Sequence, residues 1–274
     1  MRNRGLAIVT GASAGIGEEF ARQLAARGFD LLLVARREDR LRTLAEQVAP
    51  AAILAADLSR PEGVDRLLEA IDAGGRAPAL LVNNAGRGYY GAALDEPGTA
   101  TLEMLRLNIE ALTRLSLEVG RRMAAQGAGG VINIASTAAY QPVPYLAVYA
   151  ATKAYVASFS EALAAELVGK GVRVFTVSPG ATRSEFAAAA GLPAQFESLG
   201  TPAADVVRRA LDAYEHQVWG DTYIDGVFNQ AGALLSRFAP RFLTTHFAAG
   251  LLRAESPVRS SSKGSRRPPA GCCR

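Results

Sequence analysis

Six short apolar, β-prone runs recur along the chain, each followed by a stretch of helical periodicity. They are Leu6–Thr10, Leu31–Ala35, Ala52–Ala56, Ala79–Val82, Val131–Ala135 and Val172–Val177, with Thr222–Val227 as a candidate seventh. Helices are expected over Glu18–Arg27, Asp39–Val48, Thr101–Ala125 and Val148–Val168. Ser59 and Glu62 read as a capping box that opens a helix to about Ala73, and Thr201-Pro202 opens another to His216. Strands that are apolar at nearly every position must be covered on both faces, which implies a parallel sheet between two helix layers. No repeat period appears. The pattern predicts one domain over 1–252 and a tail over 253–274.

The charge is unevenly placed. The formal net charge of +4 hides a tail that holds Arg253, Arg259, Lys263, Arg266, Arg267 and Arg274 against Glu255 alone. The remaining body is close to neutral, which argues against a nucleic-acid-binding protein. Both cysteines, Cys272 and Cys273, lie in the tail, so the body contains no disulfide and no cysteine-based metal site. No metal-ligand spacing appears, and His216, His246 and Trp219 suggest no chemistry. No apolar run reaches the ~18 residues of a membrane span, and the apolar stretch after Met1 is too short for a secretory signal. A cytoplasmic location is the resulting expectation. The serine-, proline- and glycine-containing tail reads as disordered.

The first apolar run ends in Thr10-Gly11-Ala12-Ser13-Ala14-Gly15-Ile16-Gly17, directly before a helix. Glycines at a strand-to-helix turn let the backbone come close to a pyrophosphate, and the helix N-terminus offers free N–H groups to the anion. Gly11, Ser13, Ala14, Gly15, Ile16 and Gly17 are therefore cofactor-binding candidates. The second apolar run ends in Ala35-Arg36-Arg37, where a fold that prefers NAD places a carboxylate. Two guanidiniums there suit a 2′-phosphate, so the expected cofactor is NADP(H).

The glycine spacing, GxxxGxG, resembles the cofactor loop of the short-chain dehydrogenase/reductase family. Further motifs of that family follow in order over residues 5–225. The resemblance implies a doubly wound Rossmann-type α/β fold, a seven-stranded parallel sheet in the order 3-2-1-4-5-6-7 with helices on both faces. It also implies a homodimer or homotetramer through the two long central helices. By the same resemblance Asp57, beside Leu58, accepts a bond from the adenine, and Asn84, Ala85 and Gly86 of the Asn83-Asn84-Ala85-Gly86 segment line the cofactor. Pro179 and Gly180 face the nicotinamide, and Thr182 bonds its carboxamide. Ser184 stands where the family usually has threonine.

Tyr149 and Lys153 are four residues apart on an expected helix and share a face. A phenol with a pKa of about 10 becomes a usable acid–base group near an ammonium. The resemblance makes Tyr149 the acid–base residue and has Lys153 hold the ribose and acidify Tyr149. It assigns to Ser136 the polarisation of the substrate carbonyl, and to Asn108 a water that links the lysine to solvent. Ser136 has no histidine in a hydrolase arrangement.

The alanine-rich segment 185–200, with Phe186, Leu192 and Phe196, is the expected lid and suggests an apolar carbonyl or alcohol substrate. Residues 228–252 are strongly apolar, interrupted by Pro240, which should break any single helix. They read as a dimer contact or pocket cover, with an interfacial membrane helix as the other reading; stable insertion is not expected. The sequence thus points to an NADP(H)-dependent oxidoreductase acting on a small molecule. A non-catalytic NADP-binding sensor and an epimerase or dehydratase on the same scaffold are the alternatives.

Overall fold

A computed structural model describes residues 4–75, 78–193, 198, 200–216 and 220–252. The tail, with both cysteines, lies outside the described residues, as do Phe196 and Trp219. In chain order the elements are β1 (Leu6–Thr10), α1 (Gly15–Ala26), β2 (Asp30–Ala35), α2 (Glu38–Gln47), β3 (Ala51–Ala55), α3 (Pro61–Ala73) and β4 (Leu80–Asn83). There follow α4 (Gly98–Leu105), a π-helical turn over Arg106–Ala111, α5 (Leu112–Gln126), β5 (Gly129–Ile134), α6 (Ala147–Leu167) and β6 (Val172–Ser178). The C-terminal part holds β7 (Thr182–Arg183), α7 (Glu185–Ala190), β8 (Thr201–Pro202), α8 (Ala203–His216), β9 (Thr222–Ile224), α9 (Val227–Phe238) and α10 (Arg241–Leu251).

Seven strands form one sheet in the order β3-β2-β1-β4-β5-β6-β9, and every pair is parallel. This is the expected topology, with β9 as the seventh strand. Successive residues point to opposite faces, so each strand feeds two cores. Ala7 and Val9 of β1, Leu31 and Leu33 of β2 and Phe175 of β6 pack against α1, α2 and α8 through Phe20, Leu24, Leu41, Val207 and Leu211. Ile8, Leu32, Leu81, Val131 and Val174 face the other way, onto Leu67, Leu115, Val119, Met123 and Leu163 of α3, α5 and α6.

Four local expectations are revised. The first helix starts at Gly15, not Glu18, because Gly15-Ile16-Gly17 already forms its first turn. The third helix has Arg60 at its N-cap with no side-chain bond. The Ser59 hydroxyl donates instead to Asp57 Oδ1 at 2.7 Å, so the capping box does not form. The long helix begins earlier, at Gly98, and is interrupted by the π turn before it closes at Gly127, whose φ of +74° suits glycine. The last strand stops at Ile224, and Val227 already belongs to α9. Pro240 does separate two helices, standing at the N-cap of α10.

One row across the sheet is polar. Asn83 pairs in register with Asn133, Asn133 with Thr176, and Thr176 with Thr222. Asn83 Nδ2 donates to Ser116 Oγ at 3.0 Å and to Asn133 Oδ1 at 2.9 Å, while Asn133 Nδ2 donates to Ser160 Oγ at 2.9 Å. Asn133, Ser116 and Ser160 are fully buried. The network ties β4 and β5 to α5 and to α6, and α6 carries Tyr149 and Lys153. Buried polar groups left without a partner cost about 1–3 kcal/mol each. Asn133→Ala removes the acceptor for Asn83 and the donor to Ser160, and should lower unfolding stability by about 2–3 kcal/mol. Urea unfolding of both proteins measures this, and a loss below about 1 kcal/mol would count against a structural role for the row.

Candidate active site

A cavity of about 860 Å³ opens at the C-terminal ends of β1, β2, β4, β5 and β6, where ligands bind in open parallel sheets. One end lies over the glycine turn. No side chain caps α1 at Ala14, so its first N–H groups remain available to an anion. The turn is locked to β4. The Thr10 hydroxyl donates to Val82 O at 3.2 Å and accepts from the backbone N–H of Asn84 and of Ala85, each at 3.0 Å. Asn84 Nδ2 donates to Thr10 O at 2.9 Å and to Gly11 O at 3.2 Å. A Cβ at Gly17 would overlap Gly11 O and Asn84 Nδ2.

Arg36 and Arg37 flank this end. Arg37 Nε donates to Ser13 Oγ at 3.2 Å, and its Nη1 pairs with Glu185 Oε2 at 2.8 Å. Glu185 also pairs with Arg40, so α7 is tied to α2 across the cavity. Among the described residues Arg36 has no hydrogen bond or ion pair. Asp57 is partly buried, which would raise its pKa, but the bonds from Ser59 and the nearby Arg36 and Arg60 outweigh this and hold its carboxyl below the ordinary value.

The other end holds Ser136, Tyr149 and Lys153. Ser136 starts a short 3₁₀ turn and accepts the Ala138 N–H at 3.1 Å. Burial pushes the Tyr149 phenol up to about 12, opposed by a hydrogen bond with Ser136. Burial also pushes the Lys153 ammonium down to about 8; its Nζ donates to Ile134 O at 2.7 Å and lies 5.8 Å from the Tyr149 ring centroid. Desolvation dominates at both groups, and it keeps the phenol protonated at neutral pH.

Gly11, Ser13, Ala14, Gly15, Ile16, Arg36, Arg37, Asp57, Leu58, Asn84, Ala85, Gly86, Ser136, Tyr149, Lys153, Pro179, Gly180 and Thr182 all line the cavity. Gly17 and Asn108 do not. Gly17 sits beneath the turn, where its missing side chain allows the close approach. Asn108 lies in the π turn, 1% exposed. Its amide donates to Arg87 O at 2.9 Å and Thr152 Oγ1 at 3.0 Å and accepts from Arg87 N at 3.0 Å. Thr152 in turn donates to Tyr149 O at 2.7 Å. The Asn108 side chain thus positions α6 and the loop after β4 through direct bonds. Ser184, the departure from the family pattern, caps α7 by accepting the Phe186 N–H at 3.4 Å.

The expected lid, the apolar stretch 228–252 and two residues that no motif marked, Val143 and Leu146, supply further walls. Phe186 packs on Tyr149 with centroids 5.3 Å apart, and Val143, Leu146, Leu192 and Leu252 add apolar surface. Asn229, Gly232, Ala233 and Ser236 of α9 close the remaining side. Among the described residues no group of acidic, histidine or cysteine side chains could hold a metal ion.

The family profile described as short chain dehydrogenase matches residues 5–193. The chain belongs to that family. A short chain dehydrogenase of Pseudocercospora fijiensis is 35% identical over 188 residues, 66% of this chain and 61% of that protein. A very-long-chain 3-oxoacyl-CoA reductase of Podospora anserina is 34% identical over 186 residues, 63% of this chain and 53% of that protein. The match thus spans less than two thirds of either relative. Among solved structures, a short-chain dehydrogenase from Sphingobium yanoikuyae in complex with NADPH superposes with a TM-score of 0.77 at 30% identity, covering 94% of this chain and 99% of that one. A 3-ketoacyl-(acyl-carrier-protein) reductase from Brucella melitensis complexed with NADH gives 0.74 at 26% identity, covering 81% and 96%.

The buried lysine has a consequence for stability. Its pKa is lowered from 10.5 in the ordinary state to about 8 in the folded chain. Between those values the unfolded state holds the extra proton, so stability rises as pH increases through the window. Tyr149, raised from 10.0 to about 12, acts in the opposite sense, at the top of that range and above it. Denaturant unfolding from about pH 8 to 10 should show a gain of roughly 1 kcal/mol per pH unit that Lys153→Met lacks. Equal slopes in the two proteins would contradict the burial of a charged Lys153.

Proposed function

We propose that the chain is an NADP(H)-dependent oxidoreductase that interconverts a ketone or aldehyde and an alcohol. The observation that carries this reading is the meeting of Ser136, Tyr149 and Lys153 at one end of a cavity whose other end is an uncapped helix N-terminus flanked by arginines. The cradle fits a dinucleotide: Gly11 and Gly15 line the turn without side chains, Gly17 lets the turn close against the loop after β4, and Asp57 and Leu58 would take the adenine. When bound, the nicotinamide supplies or accepts the hydride.

The chain's own residues do the rest. Ser136 orients the carbonyl oxygen and donates a hydrogen bond to it as negative charge develops. Tyr149, protonated in the resting site, gives its proton to that oxygen in reduction and takes it back in oxidation. Lys153 holds the ribose and stabilises the tyrosinate that forms. Asn108 keeps Tyr149 and Lys153 in place through Thr152. Phe186, Val143, Leu146 and Leu252 exclude water and favour an apolar substrate.

Arg36 and Arg37 support NADP(H) over NAD(H). No carboxylate ends β2, and Arg36 makes no hydrogen bond or ion pair among the described residues. Arg37 is shared with Glu185, and a 2′-phosphate would compete for it.

Tyr149→Phe should lose at least about 100-fold in turnover while NADPH still quenches protein fluorescence on binding. Retained turnover against a panel of ketones and alcohols would remove Tyr149 from the chemistry. Arg36→Asp should shift the NADPH/NADH affinity ratio toward NADH by about tenfold or more. An unchanged ratio in equilibrium titrations would place the phosphate elsewhere.

A further inference from the structure

Two consecutive helices, α9 and α10, have sides of opposite character. Toward the protein, α9 buries Ala233, and Ser236 donates its hydroxyl to Tyr140 O at 3.1 Å. Outward, Phe228 is 95% exposed, Phe238 81%, Phe247 70%, Leu235 67% and Phe242 63%. Eight of the thirteen exposed large apolar side chains among the described residues lie on these two helices. A monomeric surface rarely concentrates so many, and such a patch marks an interaction site.

The charge around the patch identifies the partner. No Asp or Glu occurs in the sequence between Asp225 and Glu255, whereas Arg237 and Arg241 are exposed beside the phenylalanines. The sequence that follows, 253–274, adds six cations against one carboxylate. A two-fold contact between copies of this face would bring like charges together. An anionic lipid surface offers the opposite charge, together with an apolar layer for the phenylalanines. Both helices are far too short to span a bilayer, and no described helix is long and apolar enough to do so. We propose that the outer face of α9 and α10 lies on an anionic membrane surface as a non-spanning, interfacial attachment. The same α9 lines the cavity on its inner side, so the attached surface and the cavity wall are two sides of one helix.

Sedimentation of the full chain with vesicles tests this. The expected result is binding to vesicles of phosphatidylcholine containing phosphatidylserine, little binding to phosphatidylcholine alone, and release as salt is raised. The variant Phe228→Ser/Phe238→Ser/Phe247→Ser should lower partitioning by about tenfold or more. It should keep the circular dichroism and NADPH affinity of the parent, since none of the three residues lines the cavity. Arg237→Gln/Arg241→Gln should weaken binding to the anionic vesicles only. The proposal is overturned if the full chain stays in the supernatant with anionic vesicles, or if the phenylalanine variant binds them as well as the parent does. A soluble dimer that the phenylalanine variant converts to monomer, with no lipid binding by either protein, would also overturn it and assign the face to self-association.

Discussion

The site depends on how closely two backbones approach each other. The turn after β1 and the loop after β4 meet with no side chain between them at Gly17, and they are fastened by the Thr10 hydroxyl and the Asn84 amide. Each fastening group does two jobs. Thr10 donates to one strand end and accepts from two backbone N–H groups, and Asn84 satisfies two carbonyls of the turn. These bonds fix the uncapped end of α1 against the end of β4, so the anion-binding end and the loop leading to the reactive end cannot shift independently. Gly17 makes this possible without touching the cavity, which explains why a residue can be indispensable to a binding motif and still contact no ligand.

The reactive end is governed by desolvation. Tyr149 and Lys153 are both buried, and burial drives both toward their neutral forms, the phenol up and the ammonium down. A protonated phenol beside a lysine that ionises with difficulty suits the start of a reduction. It suits the start of an oxidation less well, because that needs the phenolate. Under the proposed function, Lys153 would meet the hydroxyls of a dinucleotide, and Tyr149 would feel a positive ring when that dinucleotide is oxidised. Burial thus outweighs the proximity of the lysine in setting the phenol.

Much of this was legible in the sequence because parallel strands buried on both faces have a distinctive signature. Leu31–Ala35 and Val172–Val177 could be placed within a residue or so from their continuous apolar character. The glycine turn, the double arginine and the Tyr149/Lys153 spacing are local patterns, and each lands on the cavity. What stayed hidden depends on long-range geometry. The Glu185 bridge to Arg37 and Arg40 joins residues far apart in sequence. The π turn around Asn108 has no glycine or proline to announce it. The direct bonds its side chain makes to Arg87 and Thr152 join residues 21 and 44 positions away. Ser59 looked like a helix cap and instead serves Asp57, whose carboxylate two residues earlier accepts both the Ser59 hydroxyl and its backbone N–H. The one signal available for the buried row was an amide, Asn133, in the middle of an otherwise apolar run.

The C-terminal helices show why hydrophobicity alone left two readings open. Residues 228–252 are apolar enough to cover a pocket and apolar enough to seek another surface, and periodicity cannot say which side is satisfied. The structure separates the two functions by face. Small residues, Gly232, Ala233 and Ser236, turn inward where the cavity needs a close wall, and the phenylalanines turn outward. A helix built only to cover the cavity would place its largest apolar groups inward, since that is where burial is gained. Here the large groups are outside and the flanking charges are all of one sign. The net charge of +4 gains a specific meaning from this arrangement. It is concentrated after the apolar face, and the cations lining the cavity are few: Arg36 and Arg37 at one end, Arg87, and a reluctantly charged Lys153 at the other.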